Sequence, residues 1–398
     1  MRVLLFTGKG GVGKSTLAAA TASHAAATGR KTLLISTDAA HSLSDIVESS
    51  DIVESSDIVE SSDTVESSPF LDIEQVDITS RRAAAWQGIE SYLRALLIDL
   101  GVGHVEAAEL TNVPAIDDVL ALLEVAERIR QGDHDVVVID APPTAETMRF
   151  LTLPEALATL LGKFGTTRAA LARFVTDVPR APREVFAAIE AVVAECVALR
   201  ELLTGSTTSI RVVTTADSVV LAETRRTVGA LALHGYRVDA VIANRVFGYD
   251  HADEWRMGWA VQHEKQLSQM AHELVGIPLL VGPYAQKEPV GVAALVELAT
   301  SVYGDRDPLE ILGVSPGHRW HPVDGGFEYI VPMPFTRLSE VHATRVDDDL
   351  VISVASSKRS FPLPSVLRRC SIAGATFSEE SLYIQFVPNP ELWPSDEK

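Results

Sequence analysis

Residues 8 to 16 read Gly8-Lys9-Gly10-Gly11-Val12-Gly13-Lys14-Ser15-Thr16, directly after the apolar run Val3 to Phe6 and directly before the alanine-rich stretch Leu17 to Ala27. This is GxxxxGK[ST] in the strand, loop and helix context in which the motif has a physical meaning. Glycines let successive backbone N–H groups converge on phosphate oxygens, and the helix N-terminus adds the positive end of its dipole. Lys14 reaches the β and γ phosphates, and Ser15 offers a hydroxyl to Mg²⁺. A plain glycine-rich turn accounts for the glycines but gives Lys14 and Ser15 no task.

Gly8, Gly10 and Gly13 also spell GxGxxG, and Asp38 ends a second apolar run where a dinucleotide fold places its ribose-binding acid. A dinucleotide loop has no use for a Lys-Ser pair after its last glycine, nor for a second acid at the end of a buried strand. A nucleoside triphosphatase needs both the lysine and a metal-organising aspartate. Asp140, closing Asp135-Val136-Val137-Val138-Ile139, fills that second role, so the triphosphate reading leads.

These residues must be positioned by a sheet. Short apolar runs recur at Val3 to Phe6, Thr32 to Ile35, Val136 to Ile139, Val212 to Val213, Val238 to Ile242 and Ile277 to Val281, separated by helix-length segments. Such runs read as strands buried on both faces of a mostly parallel, doubly wound α/β sheet. Two long apolar-periodic regions, Trp86 to Arg130 and Phe150 to Leu203, exceed a simple crossover helix and predict a helical subdomain over about 80–132 and 150–205. Their stripes read first as core and second as a groove lining.

The chain has 398 residues, enough for about two to three domains. Lys plus Arg number 34 against 54 Asp plus Glu, a net charge of −20, which repels a phosphate backbone and argues against nucleic acid as a partner. Eight of the acids fall in residues 45–68, where DIVESS occurs three times and DTVESS once. Six residues advance about 240° around a helix, so neither helix nor strand gains a clean apolar face, and the segment reads as a solvated acidic loop in preference to a solenoid or a binding tag. Cys196 and Cys370 are the two cysteines, giving no CxxC pair or disulfide framework, which fits a reducing cytoplasm. Neither an export signal nor an apolar run of the ~18 residues a membrane span needs is expected. His104, His134 and His263 are scattered without ligand spacing, so no histidine metal site is expected.

A boundary is expected near Asp307-Pro308, closing a P-loop α/β domain over 1–310. Residues 311–326, rich in Gly, Pro and His, read as a linker. Phe327 to Met333, Leu350 to Ala355 and Leu382 to Phe386 then mark a small β-sandwich over 327–388, followed by a tail over 389–398.

Lys9 in the loop, Asp38-Ala39-Ala40-His41-Ser42-Leu43-Ser44-Asp45 and Asp140-Ala141-Pro142-Pro143-Thr144 together resemble the deviant P-loop ATPases of the arsenite-pump type, ArsA, and their relatives that guide tail-anchored proteins to membranes. The resemblance runs on through Val241-Ile242-Ala243-Asn244 and Gly282-Pro283, covering about residues 1–305. Residues 327–386, with Asp349 to Val354 and Arg359 to Pro364, resemble the α-crystallin-like, small-heat-shock domain that some members carry.

The resemblance implies a cytoplasmic, homodimeric Mg²⁺-ATPase. In it, Lys9 reaches the nucleotide of the partner copy, Asp38 positions the attacking water, Asn244 contacts adenine and Pro283 lies near the base. Gly8 to Thr16 hold the phosphates, and Ser15 and Asp140 hold the metal. It further implies a hydrophobic helical protein segment as client, bound in a nucleotide-gated groove, and a membrane receptor as a further partner. The sequence departs from the family where Ala145 and Glu146 stand in place of the usual Gly and His, which allows a slowly hydrolysing holdase as an alternative. A single cysteine before residue 310 supplies neither a zinc CxxC at the dimer nor thiolates for a metalloid, so no zinc site is expected and a metalloid pump is the weaker alternative.

Overall fold

The computed structural model describes residues 1–37, 42–47, 69–76, 80–99, 101–111, 116–142, 147, 151, 183–250, 253–313, 318–336, 338–354, 357–378 and 380–392. The elements of the α/β region are β1 (Arg2–Gly8), α1 (Lys14–Ala27), β2 (Thr32–Ser36), α2 (Ser42–Val47), β3 (Leu71–Gln75), α3 (Ser80–Asp99), α4 (His104–Thr111), α5 (Ile116–Gln131) and β4 (Val136–Asp140). They continue with α6 (Arg183–Thr204), β5 (Thr208–Thr214), α7 (Ser218–Leu233), β6 (Val238–Val246), α8 (Glu254–Glu273), β7 (Leu279–Pro283) and α9 (Val292–Tyr303).

The strands form one seven-stranded parallel sheet in the order β3-β2-β4-β1-β5-β6-β7, with helices between successive strands. It is the doubly wound arrangement that the apolar runs predict. β1 is central, so the chain departs to one side of it and later returns to the other, and the loop after β1 falls at a topological switch point, where such sheets bind ligands. The strands are apolar because both faces are covered: Val3, Leu4, Leu5 and Phe6 of β1 and Val137, Val138 and Ile139 of β4 are fully buried. The chain divides into two compact units, one of residues 1–5, 15–208 and 289–297, the other of residues 6–14, 209–288 and 298–398.

In the first unit, Ile35 of β2 stands beside Ile139 of β4 and Glu74 of the edge strand β3. The helical subdomain contributes α3, α4, α5 and α6. Its stripes are core in the described residues: Ile89, Val119, Leu122 and Leu199 are all buried. The repeat contributes Asp45, Ile46 and Val47 to the end of α2, where Val47 is buried and the Ile46 carbonyl accepts the Gly291 N–H at 2.9 Å. The remainder of the repeat, 48–68, lies outside the described residues, as do 152–182 of the second apolar-periodic region.

In the second unit, two antiparallel sheets follow the α/β region. One has the order β13-β14-β9-β8 and the other β10-β11-β12. Their strands are β8 (Arg319–Val323), β9 (Gly326–Pro332), β10 (Val341–Val346), β11 (Asp349–Val354), β12 (Ser357–Pro362), β13 (Cys370–Ser378) and β14 (Ser381–Pro388). Val331, Leu350, Ile352, Phe361, Leu382, Ile384 and Phe386 share one buried cluster. The stretch expected as linker, 311–326, is therefore partly sheet: β8 pairs with β9, Trp320 opposite Tyr329. As an exposed edge strand carrying Pro322, β8 shows no apolar pattern to read.

The same cluster includes Leu233, the last residue of α7. Arg359 Nη1 donates to the Leu233 carbonyl at 2.9 Å, and His318 Nε2 lies 3.3 Å from the Ala232 carbonyl. The final turn of α7 is thus satisfied by side chains from the C-terminal sandwich segment.

Candidate functional site

The phosphate loop begins where β1 ends. Gly8 is held so close to β5 that a Cβ there would stand 2.2 Å from the Val213 carbonyl oxygen, so only glycine fits. At Gly13 the backbone is left-handed, φ 91°, and a Cβ would stand 2.4 Å from Asn244 Nδ2. By contrast, nothing lies within 4 Å of a Cβ at Gly10 or Gly11, which leaves open space on that side of the loop. Val12 is buried and Lys14, opening α1, is 6% exposed, while Ser15 and Thr16 are half-buried in the first turn of the helix.

The end of β6 closes on this loop from beside it. The β6–β7 register breaks between Ala243 and Val246. In that break the buried Asn244 donates from Nδ2 to the Val12 carbonyl at 3.0 Å, and Arg245 donates from Nη1 to the Gly11 carbonyl at 2.9 Å. A Cβ on Gly282 of β7 would come 3.0 Å from Asn244 Oδ1, so the amide is fitted between two glycines. Pro283 ends β7 opposite Val246 and is exposed. Next to it Tyr284 stacks on Phe247, with ring centroids 4.8 Å apart. The Phe247 N–H donates to His263 Nδ1 at 3.3 Å, which needs that nitrogen unprotonated, and burial holds the imidazole below its usual pKa while Asp217 opposes the shift.

Lys9 lies on the loop with its Nζ 3.7 Å from Glu223 Oε2 of α7, both side chains partly exposed. Such a pair is worth about 0–1 kcal/mol, so it parks the lysine without locking it. Asp140 ends β4 fully buried, and its carbonyl accepts from the Thr37 N–H at 3.1 Å and from Thr37 Oγ1 at 3.3 Å. Thr37 is the residue before Asp38. Asp38 itself, His41, Ala145 and Glu146 lie outside the described residues.

This geometry suits nucleotide phosphates: an open glycine cradle, a helix N-terminus and a nearly buried lysine behind it. Among the described residues no group of three or more His, Cys, Asp or Glu is placed to hold a metal. Ser15 and Asp140 supply oxygen donors of the kind Mg²⁺ accepts when phosphate and water complete its shell. Arg245 is the site residue that sequence reasoning misses. A cation directly after Asn244 was the available signal, but its direction depends on a left-handed backbone, φ 57°, that a sequence does not display.

A glycine loop with Lys14 on the central strand of a doubly wound parallel sheet defines a P-loop nucleotide-binding fold. The sequence profile of the family described as Anion-transporting ATPase matches residues 1–304, and that of the HSP20-like domain found in ArsA matches residues 324–386. The chain belongs to this ArsA-type ATPase family. It is 28% identical over 396 residues to an Aquifex aeolicus protein provisionally named an arsenical pump-driving ATPase, covering 96% of this chain and 99% of that one. To an uncharacterized protein of Streptomyces coelicolor it is 30% identical, across 99% of each chain. With the ATPase ARSA1 of Chlamydomonas reinhardtii the identity is 27%, over 74% of this chain and 41% of the relative.

Proposed function

We propose that the chain is a Mg²⁺-dependent ATPase that works in the cytoplasm as a homodimer and gates the binding of hydrophobic helical protein segments with its nucleotide state. The observation that carries the nucleotide part is Lys14, 6% exposed at the N-terminus of α1 behind the glycine loop. A lysine is buried there at a cost, and a phosphate is the partner that repays it. In this reading Lys14 and Ser15 bind the phosphates and Mg²⁺ with Asp140, Asp38 orients the attacking water, and Asn244 and Pro283 lie on the base side. Lys9 leaves Glu223 for the partner copy's nucleotide, which ties dimer closure to the γ-phosphate.

Among the described residues no helix is long and apolar enough to cross a membrane. In this reading a membrane is met through a receptor. The name of the Aquifex relative raises arsenite as an alternative effector. Both cysteines are buried, Cys196 in α6 and Cys370 at the start of β13, which weighs against a thiolate metalloid site.

The decisive experiment is a direct titration with ATP. Lys14→Ala should abolish tight binding, and unchanged affinity would end the reading. For the client, a hydrophobic helical peptide should bind more tightly with a non-hydrolysable ATP analogue than with ADP, and equal affinity in the two states would remove the gating.

A further inference from the structure

We propose that Asn244 and Arg245 are positioning residues for the phosphate loop, a pair of side chains from the end of β6 that hold two consecutive loop carbonyls and so aim two backbone N–H groups at the phosphate. The inference rests on the nucleotide reading of the loop.

A trans peptide is planar, with its C=O and N–H pointing in opposite directions. Among the described residues no peptide bond is cis. The Gly11 carbonyl belongs to the same plane as the Val12 N–H, and the Val12 carbonyl to the same plane as the Gly13 N–H. Arg245 holds the first carbonyl at 2.9 Å and Asn244 the second at 3.0 Å. Holding both oxygens toward β6 turns both N–H groups away from β6. Without such anchors a glycine-rich loop must be ordered by the ligand itself, and the ordering cost would be subtracted from affinity.

The local backbone is shaped for this task. Residues 244 and 245 sit in the break between the paired residues Ala243 and Val246, where a strand can re-aim side chains. Arg245 adopts φ 57°, a left-handed conformation that a non-glycine residue holds only under strain. The flanking glycines complete the fit, since a Cβ on Gly13 would strike Asn244 Nδ2 at 2.4 Å and one on Gly282 would approach Oδ1 at 3.0 Å. Strain and close approach at one point in the strand, next to the loop, are the marks of a selected arrangement.

A carbonyl clamp acts on phosphate and ignores the base. This separates it from the adenine contact that the family resemblance implies for Asn244. The test titrates the full-length chain and its variants Arg245→Met, Arg245→Lys, Asn244→Leu and Lys14→Ala with ADP, GDP and inorganic pyrophosphate, alongside each variant's melting temperature. Arg245→Met should weaken all three ligands by the same factor, about tenfold, and Asn244→Leu by roughly three- to tenfold. Arg245→Lys should recover part of the loss, since it restores a charge and a donor. Melting temperatures should not track the affinities.

A loss confined to ADP would make Asn244 a base contact and overturn the clamp. Full affinity in both β6 variants, with binding abolished by Lys14→Ala, would overturn the clamp and leave the phosphate loop standing. Unchanged binding in Lys14→Ala would instead remove the nucleotide reading and the clamp with it. Should Asn244→Leu fail to fold, the exposed Arg245 decides the question alone.

Discussion

Arg359 Nη1 donates to the carbonyl oxygen of Leu233 at 2.9 Å, so a cation from β12 caps the helix whose Glu223 pairs with Lys9 of the phosphate loop. The arrangement follows from two needs of a helix end. Its last carbonyls lack intrahelical partners, and its dipole favours positive charge there. Gly235, φ 79°, turns the chain away after the helix and leaves room for the guanidinium, 3.6 Å from where its Cβ would be. The guanidinium also lies over the Phe361 ring, 4.8 Å from its centroid, which holds the side chain from the other side.

Replacing Arg359 by methionine keeps the packing volume and deletes the charged donor from a buried carbonyl. The expected cost is about 1.5–3 kcal/mol, read by urea denaturation of the full chain. Arg359→Lys should recover part of it. Wild-type stability in Arg359→Met would mean that the α7 carbonyls find water instead.

Arg211 is the more severe case. It is fully buried on β5, with Nε 3.3 Å from Asp239 Oδ1, Nη1 on Tyr303 Oη at 3.0 Å and Nη2 on the Pro308 carbonyl at 2.6 Å. Arg211→Met leaves the equally buried Asp239 without its counter-charge, a loss of about 3–5 kcal/mol. Adding Asp239→Asn should restore most of that stability by removing the stranded charge. A double variant no more stable than the single one would show that the hydrogen bonds to Tyr303 and Pro308, and not the charge, carry the effect.

Gly13→Ala adds one carbon where the backbone is left-handed and Asn244 Nδ2 is 2.4 Å away. The loop must shift to admit it. Nucleotide affinity should fall at least tenfold, with about 1–2 kcal/mol lost from stability to backbone strain. Isothermal titration with ADP, together with thermal melting, separates the two effects.

Cys196 supplies a pH test. Burial, assisted by the charge of Glu195, pushes its thiol up to about 12. The unfolded chain's thiol ionises near the ordinary value of about 8.5, so above that pH the unfolded state releases the proton first and gains stability. This group's contribution is therefore complete below about pH 8.5 and falls by about 1.4 kcal/mol per pH unit above it until the folded thiol ionises. Cys196→Ala should show a shallower alkaline fall in denaturation midpoint than the wild type. At neutral pH, iodoacetamide should modify Cys196 only as fast as the helix opens.

Legibility differs by element for physical reasons. The strands β1, β2 and β4 announce themselves because burial on both faces demands unbroken apolar residues. β3, Leu-Asp-Ile-Glu-Gln, does not, because an edge strand buries only alternate residues, Leu71 and Ile73. β5 shows only Val212-Val213 as an apolar run, since Arg211 interrupts it, although all seven residues are buried. β10, Val341–Val346, exposes every second residue and lies in a charged stretch.

The phosphate loop was legible by itself, because phosphate binding is a local property: a few consecutive glycines, a lysine and a hydroxyl at the start of a helix specify it without help from the rest of the chain. The sequence alone likewise determined that there is a parallel sheet and a sandwich, through those strands whose burial is written in their own side chains. What only the tertiary structure decided is which distant residues hold that loop and those domains in place. Asn244 meets Val12, Arg245 meets Gly11, and Arg359 meets Leu233 through backbone carbonyls. A carbonyl is the same at every residue, so no side-chain pattern marks it as a target. Its partner is chosen only when the folded chain brings a donor within hydrogen-bonding distance.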